Sequence, residues 1–132
     1  MELSRQDCEQ FLRSNDVGRV VYTDRALPAV IPVNYAFVEG RVILRVAPDS
    51  RPAEKLPGSV VAFQVDDLYE GRGDCFNVLV TGPCHRVSEE ERASLLDGLP
   101  FTPRPFETSS LVLEIAALLL TGTRIRTRFG AG

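Results

Sequence analysis

The sequence predicts a mainly β protein, an antiparallel barrel or sandwich with a few short helices. Three observations predict it: short apolar runs recur along the 132 residues, turn residues separate them, and helical spacing is rare. Sequential strands joined by hairpins favour antiparallel pairing. The βαβα alternation of a doubly wound sheet is absent, as are the GxGxxG and P-loop motifs that would hold a nucleotide in such a sheet.

Each predicted strand is an apolar or alternating run between turn residues, and the runs cover residues 17–23, 29–37, 41–47, 59–65, 75–87, 111–115 and 123–128. The predicted helices, two of ordinary length and one very short, cover residues 4–14, 51–56 and 88–98. The segments 24–28, 66–74 and 99–109 are expected to be a turn, a polar loop and a proline-containing connector.

Capping residues and apolar stripes predict the two longer helices. Ser4 precedes an acidic first turn, and Cys8, Phe11 and Leu12 form the apolar stripe of the first helix. Ser88 and Glu91 form a capping box, and the helix that follows is expected to end at Gly98.

The hairpin of residues 29–47 organises the chain. Its first strand predicts a core face of apolar and aromatic residues, namely Ala29, Ile31, Val33, Tyr35 and Phe37. The opposite face is small with one polar group and carries Val30, Pro32, Asn34 and Ala36. Glu39 and Gly40 predict the turn. Such a flat face is suited to a planar ligand or to another strand.

The loop after the hairpin leads into the short helix with Ser50 and Arg51. Free N–H groups and positive potential at a helix start suit an anion, so a planar face leading to this loop indicates a nucleotide cofactor. The alternative interpretation is a helix cap followed by a surface arginine. Arg45, inside an apolar strand, requires either a carboxylate or a phosphate partner.

Glycine, proline and arginine residues in the second half of the chain predict where its strands are interrupted or exposed. Gly82-Pro83 predicts a bulge or an edge position in a long strand. Thr121-Gly122 is interpreted as a break before the last strand. Arg124, Arg126 and Arg128 alternate there and are expected to form a solvated strand face.

Composition excludes several function classes. A net charge of −3 argues against general nucleic-acid binding. No signal peptide is expected, because the first residues lack an apolar core, and no transmembrane helix is expected, because no apolar run has bilayer length. Three cysteines fit a reducing cytoplasm, and the single histidine, His85, has no zinc-ligand spacing around it. We therefore expect one cytoplasmic domain over residues 1–132, with no metal, no membrane or nucleic-acid partner, and no catalytic side chains of its own.

The order of motifs resembles a known family. The segments VGRVVYT, LPAVIPVNYAF, RVILRVAPDSR, VVAFQVDD and NVLVTGPCHRV are similar to those of the pyridoxamine 5′-phosphate oxidase-like flavin-binding split-barrel proteins, in particular small actinobacterial members. The resemblance implies a six- to seven-stranded antiparallel split β-barrel. It also implies a homodimer with two flavin sites between its subunits.

The resemblance assigns expected cofactor contacts along the chain. The flavin ring is expected along Pro32, Val33, Asn34 and Tyr35, largely through main-chain groups, although Tyr35 also reads as a core residue. The phosphate contacts match Arg45, Val46, Ser50 and Arg51. Gln64 is expected near the ring, and Phe76 and Asn77 match the place where the partner subunit closes the site; core or interface packing of Phe76 is the alternative.

Several residues depart from the family pattern. Val46 stands where threonine is common, Arg51 where lysine is common, and Phe76-Asn77 where a Trp-Ser pair is common. Arginine still suits a phosphate, whereas valine offers no hydroxyl, and Asp49 adds a negative charge beside the expected anion.

The expected function is a flavin-dependent oxidoreductase that transfers hydride to an unidentified small molecule. FMN is the leading cofactor, with F420 and FAD as alternatives; Arg51, Lys55 and the C-terminal arginines would supply a basic groove for the anionic F420 tail. Two further hypotheses are a flavin carrier without turnover and a barrel that has lost its cofactor and serves as an interaction module. Oxidation of pyridoxamine phosphate itself is not expected, because no substrate-binding extension is recognisable in residues 123–132.

Overall fold

The computed structural model describes residues 2–67, 74–98 and 111–126. Within these ranges it contains three helices, α1 (Arg5–Arg13), α2 (Arg51–Lys55) and α3 (Glu89–Gly98). It also contains seven strands, β1 (Val17–Asp24), β2 (Leu27–Val38), β3 (Arg41–Val46), β4 (Val60–Asp67), β5 (Asp74–Arg86), β6 (Leu111–Ala116) and β7 (Leu119–Arg126). In this part of the chain no helix has the length and apolar content needed to cross a membrane.

The strands form a closed barrel of six strands with one strand added outside it. The order is β4-β1-β2-β3-β6-β5-β7, and pairing of β4 with β5 closes the ring, so that β7 lies on the free side of β5. Every pairing is antiparallel. The predicted mainly β, antiparallel split barrel is confirmed, and closure of the ring decides between a barrel and a sandwich.

Two long strands change partner along their length. Strand β2 pairs with β1 through residues 27–34 and with β3 through residues 35–38. Strand β5 pairs with β4 and β7 in its first part and with β6 through residues 84–86. Pro32 and Pro83 both lie where the described strands leave one side of their strand without a neighbour, because proline has no N–H to donate to a second ladder. The sequence predicts a bulge or an edge position at Gly82-Pro83; Pro83 lies between the end of the β7 pairing at Thr81 and the start of the β6 pairing at Cys84, in a strand whose residues 76–81 have neighbours on both sides.

Alternation along the strands fills the barrel interior. Tyr35 and Phe63 are completely buried, with ring centroids 4.8 Å apart in an edge-on arrangement. The hydroxyl of Tyr35 donates a hydrogen bond to the main-chain oxygen of Leu12 at 2.6 Å, which ties α1 to the barrel. Burial raises the pKa of Tyr35. The predicted core face of β2 is confirmed, with Ala29, Ile31 and Val33 partly buried against the same cluster.

The two longer helices begin at the predicted caps. The Ser4 and Ser88 hydroxyls accept hydrogen bonds from the main-chain N–H groups of Asp7 and Glu91, at 3.1 and 3.2 Å. A second apolar cluster of Ile43, Val87 and Val112, with Leu95 of α3 packed against it, lies on the outer side of β3 and β6. The charge network around Arg41 joins this helix to the sheet, since Arg41 donates to Glu91 of α3 and to Glu114 of β6.

Two expected turns were wrong in detail. The predicted turn 24–28 is only Arg25-Ala26, with φ angles of 53° and 64°, which are typical of a two-residue hairpin of type I′. Leu27 and Pro28 already belong to β2. The expected break at Thr121-Gly122 lies inside β7, and the chain bends earlier, between β6 and β7.

The polar loop predicted over residues 66–74 gives up residues at both ends to the neighbouring strands. Asp66, Asp67 and Asp74, expected in a polar loop, lie in strands β4 and β5. The rest of that loop, the connector 99–109 and Arg128 fall outside the described residues.

Candidate functional site

The outer sides of five consecutive strands form one continuous surface, which we call the five-strand face. It crosses β2, β1, β4, β5 and β7. The strand registers place opposite one another, in one row, Pro32, Arg19, Gln64, Leu79 and Thr121. The adjacent row contains Val30, Val21, Ala62, Thr81 and Leu119. The surface is therefore built mainly of small, flat and apolar side chains.

Large apolar side chains on this face are exposed. Val60 and Leu119 are 71% and 65% exposed, and the other members are Val17, Val30 and Ile125, each more than half exposed. Arg19 carries a positive charge on the face, and the carboxylate of Asp66 accepts a hydrogen bond from its Nη1 at 2.6 Å. The charge on the face is thus neutralised within the chain, which leaves an apolar surface exposed.

A cleft of about 270 Å³ opens on this face, where β1, β2 and β4 meet the end of α1. Its walls include Pro32, Gln64, Arg19 and Asp66. The side-chain amide of Gln64 donates to the Asn77 side-chain oxygen at 2.7 Å. Asn34 is nearby, because its amide lies 3.4 Å from the main-chain oxygen of Asp16 in the cleft wall. The cleft is thus lined by the proline ring of Pro32 together with amide and carboxylate groups.

Three of the predicted ring contacts, Pro32, Asn34 and Gln64, therefore share the five-strand face with Asn77, which is expected where the partner subunit closes the site. Val33, Tyr35 and Val46 point the other way. Tyr35 and Val46 are buried in the barrel core, and Val33 packs against it. Their side chains are not accessible from the face, so Val33 and Tyr35 can contact a ligand there only through main-chain atoms. Val46 belongs to β3, which is not a strand of this face.

Phe76 and Asn77 point to opposite sides of β5. Phe76 lies 6.0 Å from Phe11 of α1, centroid to centroid, with the rings tilted by 42°. Together with Asp7 and Arg124 the two rings line a second cavity, of about 370 Å³, beneath α1. The predicted pair is thus divided: Asn77 belongs to the five-strand face and Phe76 to the aromatic packing under α1.

The predicted anion contacts are engaged in bonds within the chain. Ser50 caps the five-residue helix α2: its hydroxyl donates to the Ala47 main-chain oxygen at 2.6 Å and accepts from the Ala53 N–H at 3.3 Å. Lys55 lies 3.6 Å from a carboxylate oxygen of Glu54. Arg45 is half-buried on the outer side of β3, opposite Val112 of β6.

Arg51 makes the most specific of these contacts. Its Nε donates to Oδ2 of Asp24 at 3.0 Å, and its Nη2 donates to Oδ1 of the same carboxylate. Its third nitrogen, Nη1, lies 3.6 Å from Glu54. The hydrogen bond from Arg51 lowers the pKa of Asp24, and in return raises that of Arg51. Asp24 is a site residue that sequence reasoning missed, since 27 positions separate the partners.

The two groups of predicted site residues lie toward opposite ends of β1. Arg19 lines the cleft that also contains the amide group of Gln64, whereas Asp24 pairs with Arg51. Arg19 and Asp24 are five positions apart in the strand, which is about 16 Å at roughly 3.3 Å per residue. One chain therefore does not gather the ring contacts and the anion contacts into a single compact site.

Within the described residues, the side chains that could bind a metal ion or act as nucleophiles are not assembled into a site. Among the described residues no group of three or more His, Cys, Asp or Glu side chains is placed to hold a metal ion. Cys8, Cys75 and Cys84 are free and buried, as predicted for cysteines on apolar elements. Burial raises the pKa of Cys84 to about 12, so its thiol stays protonated and unreactive near neutral pH.

Comparison with known proteins agrees with this architecture. The chain is 36% identical to the uncharacterized protein Rv0080 of Mycobacterium tuberculosis, over 95% of this chain and 85% of that protein. Its fold matches the FAD binding protein from Mycobacterium smegmatis with a TM-score of 0.86 at 23% identity, covering 96% of this chain and 99% of the other. It matches an FAD-binding protein from Mesorhizobium loti with a TM-score of 0.74 at 23% identity, covering 94% and 96%.

A family profile covers nearly all of the sequence. The profile described as pyridoxamine 5′-phosphate oxidase matches residues 4–125, which include α1 and most of β7. The resemblance seen in the motif order is confirmed by this match, and the chain belongs to the pyridoxamine 5′-phosphate oxidase family.

Proposed function

We propose that this protein binds a flavin nucleotide between two copies of itself and acts as a flavin-dependent oxidoreductase. The observation that carries the proposal is the cleft on the five-strand face, with Pro32 and Gln64 in its wall and Asn77 hydrogen-bonded to Gln64. The flat apolar ring of a proline suits a planar ligand, and amide groups suit the polar edge of that ligand. Membership of the family and the flavin-binding proteins among its structural neighbours support the same cofactor class.

The size of the cleft supports a site shared by two chains. Small-molecule sites usually have volumes of roughly 300 to 1,000 Å³, and this cleft has about 270 Å³. It is therefore suited to a ring, while the rest of a nucleotide needs further walls. A second copy would supply them and would exclude water from the ring.

The five-strand face has the composition of an interface. Its apolar side chains are exposed, and its Arg19–Asp66 pair is neutral as a unit. Interface cores are depleted in net charge and enriched in large apolar groups. Two copies meeting through the same face would form an isologous dimer, the commonest form of homo-oligomer.

The basic residues expected to hold an F420 tail already lie next to carboxylates, which favours FMN or FAD over F420. Arg51, Lys55 and Arg126 each lie within 4 Å of a carboxylate, on Asp24, Glu54 and Asp74 respectively. A long anionic tail would have to displace these partners one by one. FMN is the leading candidate from the motif order, and FAD is the ligand of two structural neighbours; F420 stays the alternative.

A bound flavin would supply the redox chemistry, accepting and donating hydride. The chain's own residues would orient the ring and shield it from water. Gln64 and Asn77 would hydrogen-bond its polar edge, and Pro32 would pack against its face. His85 lies on β5 opposite Glu114, outside the five-strand face, so no acid–base role is assigned to it.

The test is the absorption spectrum of the purified protein, followed by denaturation and identification of any released chromophore. We expect a stoichiometric flavin, or stoichiometric uptake of added FMN or FAD, and reduction of the bound flavin by a nicotinamide cofactor under anaerobic conditions. A Gln64→Leu variant should bind more weakly, whereas Gln10→Leu, the same substitution at an exposed position of α1, should not. A protein that stays colourless with FMN, FAD and F420 would refute flavin binding; bound flavin that no donor reduces would refute the oxidoreductase and favour a carrier.

A further inference from the structure

The Asp24–Arg51 pair occupies the donors that a phosphate would need. Arginine recognises carboxylates and phosphates through the same edge, with two parallel N–H donors. In this chain the Nε and Nη2 edge of Arg51 is directed at both oxygens of Asp24. Nη1 lies toward Glu54. A phosphate therefore gains Arg51 only by displacing a carboxylate that is already in place.

The surroundings of Arg51 are electrically balanced. Asp24, Asp49 and Glu54 carry negative charges, and Arg51, Lys55 and Arg25 carry positive ones. Lys55 and Arg25 also act on Asp24, since both lower its pKa alongside Arg51. Asp24 is thus held as an anion by three cations. Little net positive charge remains to attract a second anion.

We propose that Asp24 is a specificity-determining residue: it holds Arg51 as an internal anion and so removes the phosphate contact that the arginine would otherwise make. This inference rests on the proposed function, including the second copy that completes the flavin site, because the cleft and Arg51 lie toward opposite ends of β1 in one chain. It adds to that function the way in which the flavin is chosen. The chain holds the ring and discriminates little between a flavin with a terminal phosphate and one without.

Electrostatics gives the physical reason. A phosphate monoester carries about −1.5 to −2 charges at pH 7. If it displaced Asp24 from Arg51, it would leave a carboxylate beside it, and like charges at such distances repel. Removing the charge of Asp24 while keeping its shape therefore converts Arg51 from an internally paired residue into a phosphate ligand.

The experiment compares the affinity for riboflavin and FMN, which differ by the phosphate. Wild type, Asp24→Asn, Arg51→Ala and the double variant are titrated with both, by quenching of flavin fluorescence. For wild type we expect similar dissociation constants. In Asp24→Asn the FMN constant should fall about tenfold, the size of one charge-assisted hydrogen bond, with riboflavin unchanged. Arg51→Ala alone should change the FMN dissociation constant little. In the double variant it should abolish the tenfold gain in FMN affinity that Asp24→Asn produces.

Controls separate charge and folding from the specific pair. Glu9→Gln removes one carboxylate from α1, where it pairs with Arg5 and Arg13, and should leave the FMN-to-riboflavin ratio at the wild-type value. An unchanged affinity for riboflavin, which lacks the phosphate, shows that the site for the flavin ring is intact in each variant. If Asp24→Asn folds poorly, Arg51→Ala still tests the pair, because it removes the other member.

Two outcomes overturn the inference by itself. One is riboflavin binding with an FMN-to-riboflavin ratio that Asp24→Asn does not change. The other is Arg51→Ala alone weakening FMN about tenfold with riboflavin unaffected, because the arginine would then already be a phosphate ligand. If neither wild type nor any variant binds riboflavin or FMN, the proposed function is wrong, and this inference, which rests on it, is wrong as well.

Discussion

Tyr35 joins the first helix to the barrel through a single hydrogen bond. Its ring lies against Phe63 in the core, and its hydroxyl reaches the carbonyl of Leu12 near the end of α1. A buried hydroxyl without a partner is costly, so the bond specifies how α1 sits on the barrel. The alternation of β2 predicts that Tyr35 faces the core. It does not predict Leu12, which lies 23 positions earlier in the chain.

Cys84 makes folding stability depend on alkaline pH. It is fully buried, and burial raises the pKa of its thiol to about 12, against about 8.5 for an exposed thiol. The raised pKa contributes stability that is fully present below about pH 8.5 and is lost as the pH rises toward 12.

We therefore expect Cys84 to contribute a loss of roughly 2 kcal/mol in the free energy of unfolding between pH 9 and 11. Urea titrations at both pH values measure this loss. In Cys84→Ala the slope with pH should be smaller, whatever the absolute stability, whereas in Val80→Ala, on the same face of β5, it should match wild type. Equal slopes in wild type and Cys84→Ala would contradict the raised pKa.

Gly122 shows how an element can differ from the local signal in its sequence. A glycine after a threonine is typical of a turn, yet Gly122 pairs with Val78 in the middle of β7. A Cβ atom there would lie 2.6 Å from Sγ of Cys8 and 3.0 Å from Cδ1 of Leu3. The glycine therefore permits the N-terminal segment and α1 to approach the strand closely.

We expect Gly122→Ala to displace α1 from β7. Overpacking of this kind typically costs about 1 to 3 kcal/mol, and the displacement should expose Cys8 to thiol reagents in the native state. The urea midpoint and the rate of thiol labelling measure the two effects. Thr121→Ala, on the outer side of the same strand, is the control and should change stability by less than about 0.5 kcal/mol. Unchanged labelling and stability in Gly122→Ala would contradict this packing.

For the molecule as a whole, the five-strand face is a surface whose large apolar side chains have no cover within the described chain. Helix α1 packs on the inner side of β7, and Leu95 of α3 packs on the cluster outside β3 and β6. Neither helix covers the outer residues of β4 and β7, where Val60 and Leu119 are exposed. This asymmetry supports the proposed dimer.

A charge placed on this face should separate the proposed dimer. Leu119→Glu puts two carboxylates into an isologous interface, so the dissociation constant should rise by roughly 100-fold or more. Sedimentation velocity over a range of concentrations measures it. Gln10→Glu adds the same charge to an exposed site on α1 and should leave the dimer intact. A monomeric wild type, or a Leu119→Glu protein that dimerises as wild type does, would contradict the assignment of this face.

The sequence by itself determined the class of fold and most of its elements, because alternation, caps and turn residues act over a few positions. It also determined the family, through the order of its motifs. The tertiary structure decided what depends on distant partners: closure of β4 on β5, the close approach at Gly122, and the gathering of Pro32, Asn34, Gln64 and Asn77 on one face. It also decided that Arg51 meets Asp24, because a side chain pairs with the opposite charge that folding brings near, and only the register of the strands determines which charge that is.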